Sequence, residues 1–230
     1  MVNRVNDNIT TFSAYWKVEN NPKATARQGH LKGVYKKDVD YIICDESNVR
    51  QSNTNYISKK KDDLPSLQYL KNIVDFCNSR QFVNLKFNIR IQSSAFLDLC
   101  AIWTSKILLF DEIRKHTDSD FIVWRDCIHN KNYDDIILDT CSDKITTNIY
   151  SNNFPDKPFA GLLTHDMGRY KSKISASVIK IPVVILDDVL ANYIECLQFV
   201  DNNFEIYDEE IVLTYMYSKY HKLFNCKQVI

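Results

Sequence analysis

Glycine is the first shortage: only 4 occur in 230 residues, and they are not clustered. A G-x-G-x-x-G fingerprint and a P-loop both need clustered glycines, so neither phosphate cradle is present. A charge excess is also missing, because 29 Lys and Arg balance 29 Asp and Glu for a net charge of +0. A dedicated nucleic-acid binder carries a basic excess, so no nucleic-acid partner is expected, although a local basic patch stays open. No apolar run approaches the roughly 20 residues that span a bilayer, so no transmembrane segment is expected. Met1 to Thr10 is polar and does not read as a secretory signal. The seven cysteines (Cys44, Cys77, Cys100, Cys127, Cys141, Cys196 and Cys226) are odd in number, widely spread and never arranged as C-x-x-C. Several sit inside apolar runs, which fits reduced, mostly buried thiols. The expected compartment is the cytoplasm, or a host's cytoplasm for a viral chain.

What is present suffices for one α/β domain with a real core over residues 1–230, since hydrophobic residues make up 45% of the chain. The chain is organised around Leu97 to His129. Leu99, Ile102, Trp103, Ile107, Phe110 and Ile113 recur at the three- and four-residue spacing of a helix with one buried face. Arg114, Lys115 and His116 suit its last turn, where cations meet the negative end of the helix dipole. Thr117 to Asp120 is turn chemistry, and Phe121 to Trp124 is the short unbroken apolar run of a strand covered on both faces. Arg125, Asp126, Cys127, Ile128 and His129 follow, at the strand end where open α/β sheets bind ligands.

Around this unit, Asn8 to Trp16 reads as a first strand and Val39 to Cys44 as a second, ending in Asp45, with a short helix over Arg27 to Tyr35 between them. Arg50 to Asp63, with lysines at 59–61, reads as a polar loop. Leu64 to Ser79 has helical spacing, whereas Val83 to Ile91 and Asp135 to Cys141 read as strands and Asn148 to Pro158 as loop. Ser175 to Leu186 is β-prone with Pro182 as an interruption. A helix is expected from Asp187 through Val200, another after Asp208, and a short strand or coil from Phe224.

Four places carry possible chemistry. Lys106 interrupts the apolar stripe, either with its stem along apolar surface and its ammonium in water or as a point charge for phosphate. Asp126 is either an exposed carboxylate, paired with Arg125, or one that holds a metal ion or a ribose hydroxyl. The stretch 161–173, with His165, Asp166, Arg169, Lys171 and Lys173, is either a solvated loop or a phosphate site. Asp208 can simply cap a helix whose dipole Glu209 and Glu210 complement, or the pair Asp208 and Glu209 can supply an acid.

The segments TTFSAYW, IICDES, IWTSKILLFDEI, FIVWRD and YDEEIVLTYMYSKYHKLF, in that order, resemble the small GT-A glycosyltransferase-like proteins of the HtrL/YibB type. That family shows a tryptophan-x-Ser-Lys helix, a strand ending in Trp-x-Asp, and a terminal Asp-Glu helix leading to Leu-Phe. The resemblance implies a GT-A-like single domain, α/β, with a mixed and mostly parallel central sheet flanked by helices. It implies a transferase that moves sugar from a nucleoside-diphosphate sugar to a glycan or protein acceptor, with Mn2+ or Mg2+ as a possible cofactor. Phe12, Ser13, Tyr15 and Asp45 would then face the nucleoside, Lys106 and Arg169 the phosphates, and Asp208 or Glu209 the acceptor. Asp126 would be the first acid of an Asp-x-Asp metal motif. Ile128 stands where the second acid is usual, so either His129 or Cys127 substitutes for it, or residues such as His165 or Asp166 supply the metal site, or metal binding is lost; Cys127 is the poorest substitute because these ions prefer hard oxygen ligands. A non-catalytic sugar- or nucleotide-binding protein on the same fold is the alternative.

Overall fold

The computed structural model describes residues 8–16, 18, 39–45, 54–78, 93–126, 142–149, 174–203 and 207–228. The expected helix at 27–35, the strands at 83–91 and 135–141, the 161–173 stretch, and Cys127, His129, His165, Asp166 and Arg169 lie outside them.

Among the described residues seven strands form one sheet: β1 (Ile9–Tyr15), β2 (Tyr41–Cys44), β3 (Asn55–Ser58), β4 (Phe121–Arg125), β5 (Ile145–Ile149), β6 (Ile174–Pro182) and β7 (Phe224–Gln228). Their spatial order is β3-β2-β1-β4-β6-β5-β7. The pairs β1–β2, β2–β3, β1–β4 and β5–β7 are parallel, and β6 runs antiparallel to both β4 and β5. The fold is therefore α/β, with a mixed and mostly parallel sheet flanked by helices, as expected. The helices among the described residues are α1 (Lys71–Cys77), α2 (Ser93–Ser105), α3 (Phe110–Arg114), α4 (Leu186–Asn203) and α5 (Glu209–Lys219). No described helix is long and apolar enough to cross a membrane.

The alternation of side chains along each strand explains the layers. Phe12, Ala14, Ile43, Ile122 and Trp124 point to one face, where Ile73, Phe96, Phe110, Tyr193, Leu197 and Val212 cover them. Tyr15, Ile42 and Cys44 gather on the other face, as do Val123 and Val178. β2 and β4 read as nearly unbroken apolar runs because both of their faces are buried.

Three elements depart from the sequence expectation. Residues 50–63 were expected as loop, yet Asn55–Ser58 adds an edge strand parallel to β2. Asn148 was expected as loop, yet Ile145–Ile149 forms β5, between β6 and β7. The helix expected to run on through Ile113 breaks at 106–109, between α2 and α3. Local hydroxyls account for the break: Thr104 Oγ1 donates back to Cys100 O at 2.7 Å, and Ser105 Oγ lies 2.8 Å from Ser66 Oγ, which itself donates to Ala101 O at 2.9 Å. Lys106 N–H then donates to Trp103 O at 3.2 Å, a tighter turn than the α-helix makes.

Candidate functional site

The chain runs from β1 out to β2 and β3 on one side and returns to β4 on the other, so strand order reverses at β1 and β4. In open α/β sheets such a reversal opens a crevice beyond the carboxyl ends of the strands. Asp126 directly follows β4 at this edge. The break between α2 and α3 brings Lys106 to it from the helical layer, and the first turn of α5 brings Glu209.

These three residues, 103 positions apart at the widest, form one charged group. Lys106 Nζ donates to Asp126 Oδ1 at 2.8 Å and lies 2.6 Å from Glu209 Oε1. Trp124 Nε1 donates to the same Asp126 oxygen at 3.0 Å, and the Lys106 ammonium sits 5.2 Å from the centre of the Trp124 ring. Lys106 is only 5% exposed and Glu209 6% exposed, whereas Asp126 is half-buried. Burial alone pushes the Lys106 ammonium toward losing its proton, but the Asp126 and Glu209 carboxylates outweigh it and hold its pKa above the ordinary lysine value. Burial pushes the Glu209 carboxyl up; Lys106 pulls against that, while Glu210 and Asp126 add to it, and the net direction is upward. With both carboxylates ionised the group carries one net negative charge.

The first turn of α5 is fixed from several sides. Asp208 is its N-cap, with Oδ1 accepting from Ile211 N–H at 3.0 Å. Tyr207, just before it, donates through its hydroxyl to the buried Asp201 at 2.8 Å. Asp201 also accepts from the backbone N–H groups of Asn72 at 2.8 Å and Ile73 at 3.1 Å, so it caps α1 from another helix. Glu210 Oε1 accepts from Ala176 N–H at 3.3 Å. Glu209 therefore sits on a helix end tied to α1, α4 and β6.

Of the other expected site residues, Phe12, Ser13 and Tyr15 lie on β1 and Asp45 follows β2. Phe12 is fully buried, edge-on to Phe110 at 4.9 Å and to Trp124 at 5.3 Å, with no face left for a base. Its ring supports Trp124 from below. Ser13 and Tyr15 are buried, and Tyr15 joins Ile42 and Cys44 on the opposite sheet face. Asp45 is exposed at the carboxyl end of β2. Lys106 does not run its ammonium out into water, and Asp126 takes this lysine as a partner. The lysines at 59–61 are partly engaged as well, Lys61 with Asp98 at 2.6 Å and Lys59 with Glu112 at 3.7 Å. Trp124 has no hydrogen-bonding role in the sequence reading, where it is strand core and part of the Trp-x-Asp resemblance; a Trp two residues before an acid on one strand face is the signal that its N–H can reach that acid.

A divalent metal needs several hard oxygen ligands. Among the described residues no group of three His, Cys, Asp or Glu side chains could hold one. Asp126 Oδ1 already receives two donors, one of them a full positive charge, so the described residues do not fit a metal ion at this position.

No family model matches the chain, and no curated protein matches it. Among solved structures it is similar to apo mouse xyloside xylosyltransferase 1, with 9% sequence identity, a TM-score of 0.49, and coverage of 95% of this chain and 84% of that one.

Proposed function

We propose that the chain is a glycosyltransferase that moves a sugar from a nucleoside-diphosphate sugar to a glycan or protein acceptor. The observation that carries this reading is the Lys106 ammonium held between Asp126 and Glu209 at the carboxyl edge of the parallel strands. Burying a lysine with two carboxylates is unfavourable unless the geometry is good, and packed apolar residues serve stability equally well. Such a group at a ligand-binding edge points to function. The motif resemblance to HtrL/YibB-type proteins supports the same reading.

In this reading Asp126 holds a donor hydroxyl through Oδ2, since Oδ1 is taken by Lys106 and Trp124. Glu209, with its carboxyl pushed up by burial, is the better placed of the acid pair to accept the acceptor's hydroxyl proton. The acceptor oxygen then bonds to the sugar's anomeric carbon as that carbon's bond to the diphosphate oxygen breaks. Asp208 serves mainly as the cap. Lys106 orients the two carboxylates, and the diphosphate is left to other cations, with Arg169 and the basic stretch around it as the candidates. No step is assigned to Mn2+ or Mg2+.

A non-catalytic binding protein is the second reading, favoured by Ile128 at the place of the second motif acid. Calorimetry with nucleoside diphosphates and sugar nucleotides tests binding, and a transfer or hydrolysis assay with the ligands that bind then separates enzyme from binder.

A further inference from the structure

Strand β6 leaves the regular ladder beside the end of β4. Thr147 of β5 pairs with Ile179, but Ile149 pairs with Ile174, so β6 carries extra residues between these two pairs. Such bulges are frequent next to functional sites. Side chains take up backbone groups that the bulge removes from the ladder. Thr147 Oγ1 lies 2.6 Å from Ser175 O and 2.9 Å from Val178 O. Thr214 Oγ1 accepts from Ile174 N–H at 3.2 Å, and Glu210 Oε1 accepts from Ala176 N–H at 3.3 Å. Thr214 and Glu210 both belong to α5, the helix that supplies Glu209.

The β4 side of the bulge reaches the charged group. Asp126 N–H donates to Ser177 O at 2.8 Å, and Ser177 directly follows Ala176. The Glu210 side chain and the Asp126 backbone therefore hold adjacent residues of β6. Glu209 and Asp126 are thus linked twice. One link is Lys106, 2.8 Å from Asp126 Oδ1 and 2.6 Å from Glu209 Oε1. The other runs from Glu209 to its neighbour Glu210, then through Ala176 and Ser177 to Asp126. Glu210 is buried beside the buried Glu209. A neutral acceptor would satisfy the Ala176 N–H without setting a second negative charge there, and that charge helps push the Glu209 carboxyl up. Among the described residues, the charged and titratable groups around Glu209 are Lys106 from the break after α2, Asp126 after β4, Asp208 and Glu210 from its own turn, Cys100 from α2 and Tyr193 from α4.

We propose that Glu210 is a positioning residue for the transfer step: its bond to the bulge fixes the first turn of α5 relative to the end of β4, and with it the place of the Glu209 carboxylate. The proposal rests on the transferase reading above, in which Glu209 takes the acceptor's proton. Asp126 stands at the end of its own strand, so Glu210 governs the reaction step and not the binding of donor.

The test compares wild type, Glu210→Ala and Glu210→Gln as full chains. Rates are read as nucleoside diphosphate released from a panel of uridine and guanosine diphosphate sugars. Acetylation of Lys106 by acetic anhydride, followed by mass spectrometry, is a second measure that needs no substrate. Glu210→Ala is expected to lower kcat about ten- to a hundredfold while KM for the sugar nucleotide stays within about twofold, and to label Lys106 severalfold faster. Glu210→Gln has the same size and keeps an acceptor oxygen, so it retains most of kcat and the protection of Lys106. The acid limb of its pH profile moves to lower pH, because Glu209 has lost a negative neighbour. Wild-type kcat and labelling in Glu210→Ala overturn the proposal, as does a Glu210→Gln protein that loses as much as Glu210→Ala. If Glu210→Ala does not fold, the pH profile of Glu210→Gln decides, and an unmoved acid limb overturns the proposal. Each of these results leaves the transferase reading intact. A folded wild type that releases no nucleoside diphosphate from any donor overturns both.

Discussion

Lys106 Nζ stands 2.6 Å from Glu209 Oε1 and ties the first turn of α5 to the break between α2 and α3. Its second bond, to Asp126, ties both to the end of β4. Breaking a buried ion pair from one side leaves a charge without its partner, at a cost of roughly 3–5 kcal/mol. Lys106→Met therefore lowers stability in denaturant titration by about that range. Adding Glu209→Gln to it recovers part of the loss, because the stranded charge is removed. A Lys106→Met protein as stable as wild type would mean that the ammonium is held by water and not by these carboxylates.

Asp208 separates cap from catalyst. Asn caps a helix about as well as Asp, and Ala costs typically about 1 kcal/mol. Thermal melting of Asp208→Asn should match wild type, and Asp208→Ala should melt lower. With Glu209 as the proton acceptor, Asp208→Asn also keeps most of the transfer activity whereas Glu209→Gln loses it. The reverse pattern reassigns the role to Asp208.

Two buried thiols and one half-buried thiol set an alkaline limit. Burial pushes Cys77, Cys196 and Cys226 up to about 11 from the ordinary value of 9.0. Their folded pKa values are raised, so the stability they contribute is complete below pH 9.0 and disappears as pH rises through about 11. Denaturant titrations across that window should show stability falling, and Cys196→Ala should flatten part of the slope. A flat profile in wild type contradicts the burial of these thiols.

Much of the sheet was legible because its central strands are locally distinctive. ITTFSAY, YIIC and FIVWR carry their burial in their own composition. Asn55–Ser58 and Ile145–Ile149 were not legible, since NYIS and ITTNI become strands through partners outside their own segments, β2 for the first and β6 and β7 for the second. The same distinction runs through the site. Lys106 and Asp126 each stand out as a rule-breaking charge on a local pattern and Glu209 as a candidate acid that also suits a helix start, yet periodicity contains nothing about the three meeting. Phe12 shows the converse: the family resemblance implies that it faces the nucleoside, but alternation turns it into the core under Trp124.

The central claim is that Asp126 binds the sugar-nucleotide donor, and Asp126→Asn tests it most directly because amide and carboxylate are nearly the same size. The measurement is calorimetric affinity for a panel of sugar nucleotides in wild type and Asp126→Asn, each titrated with and without manganese. The predicted result is a loss of about ten- to a hundredfold, equal to one hydrogen bond to a charged group of roughly 1.5–3 kcal/mol, with weak dependence on manganese. Equal affinity in the two proteins at every manganese concentration would contradict the claim and remove Asp126 from the site.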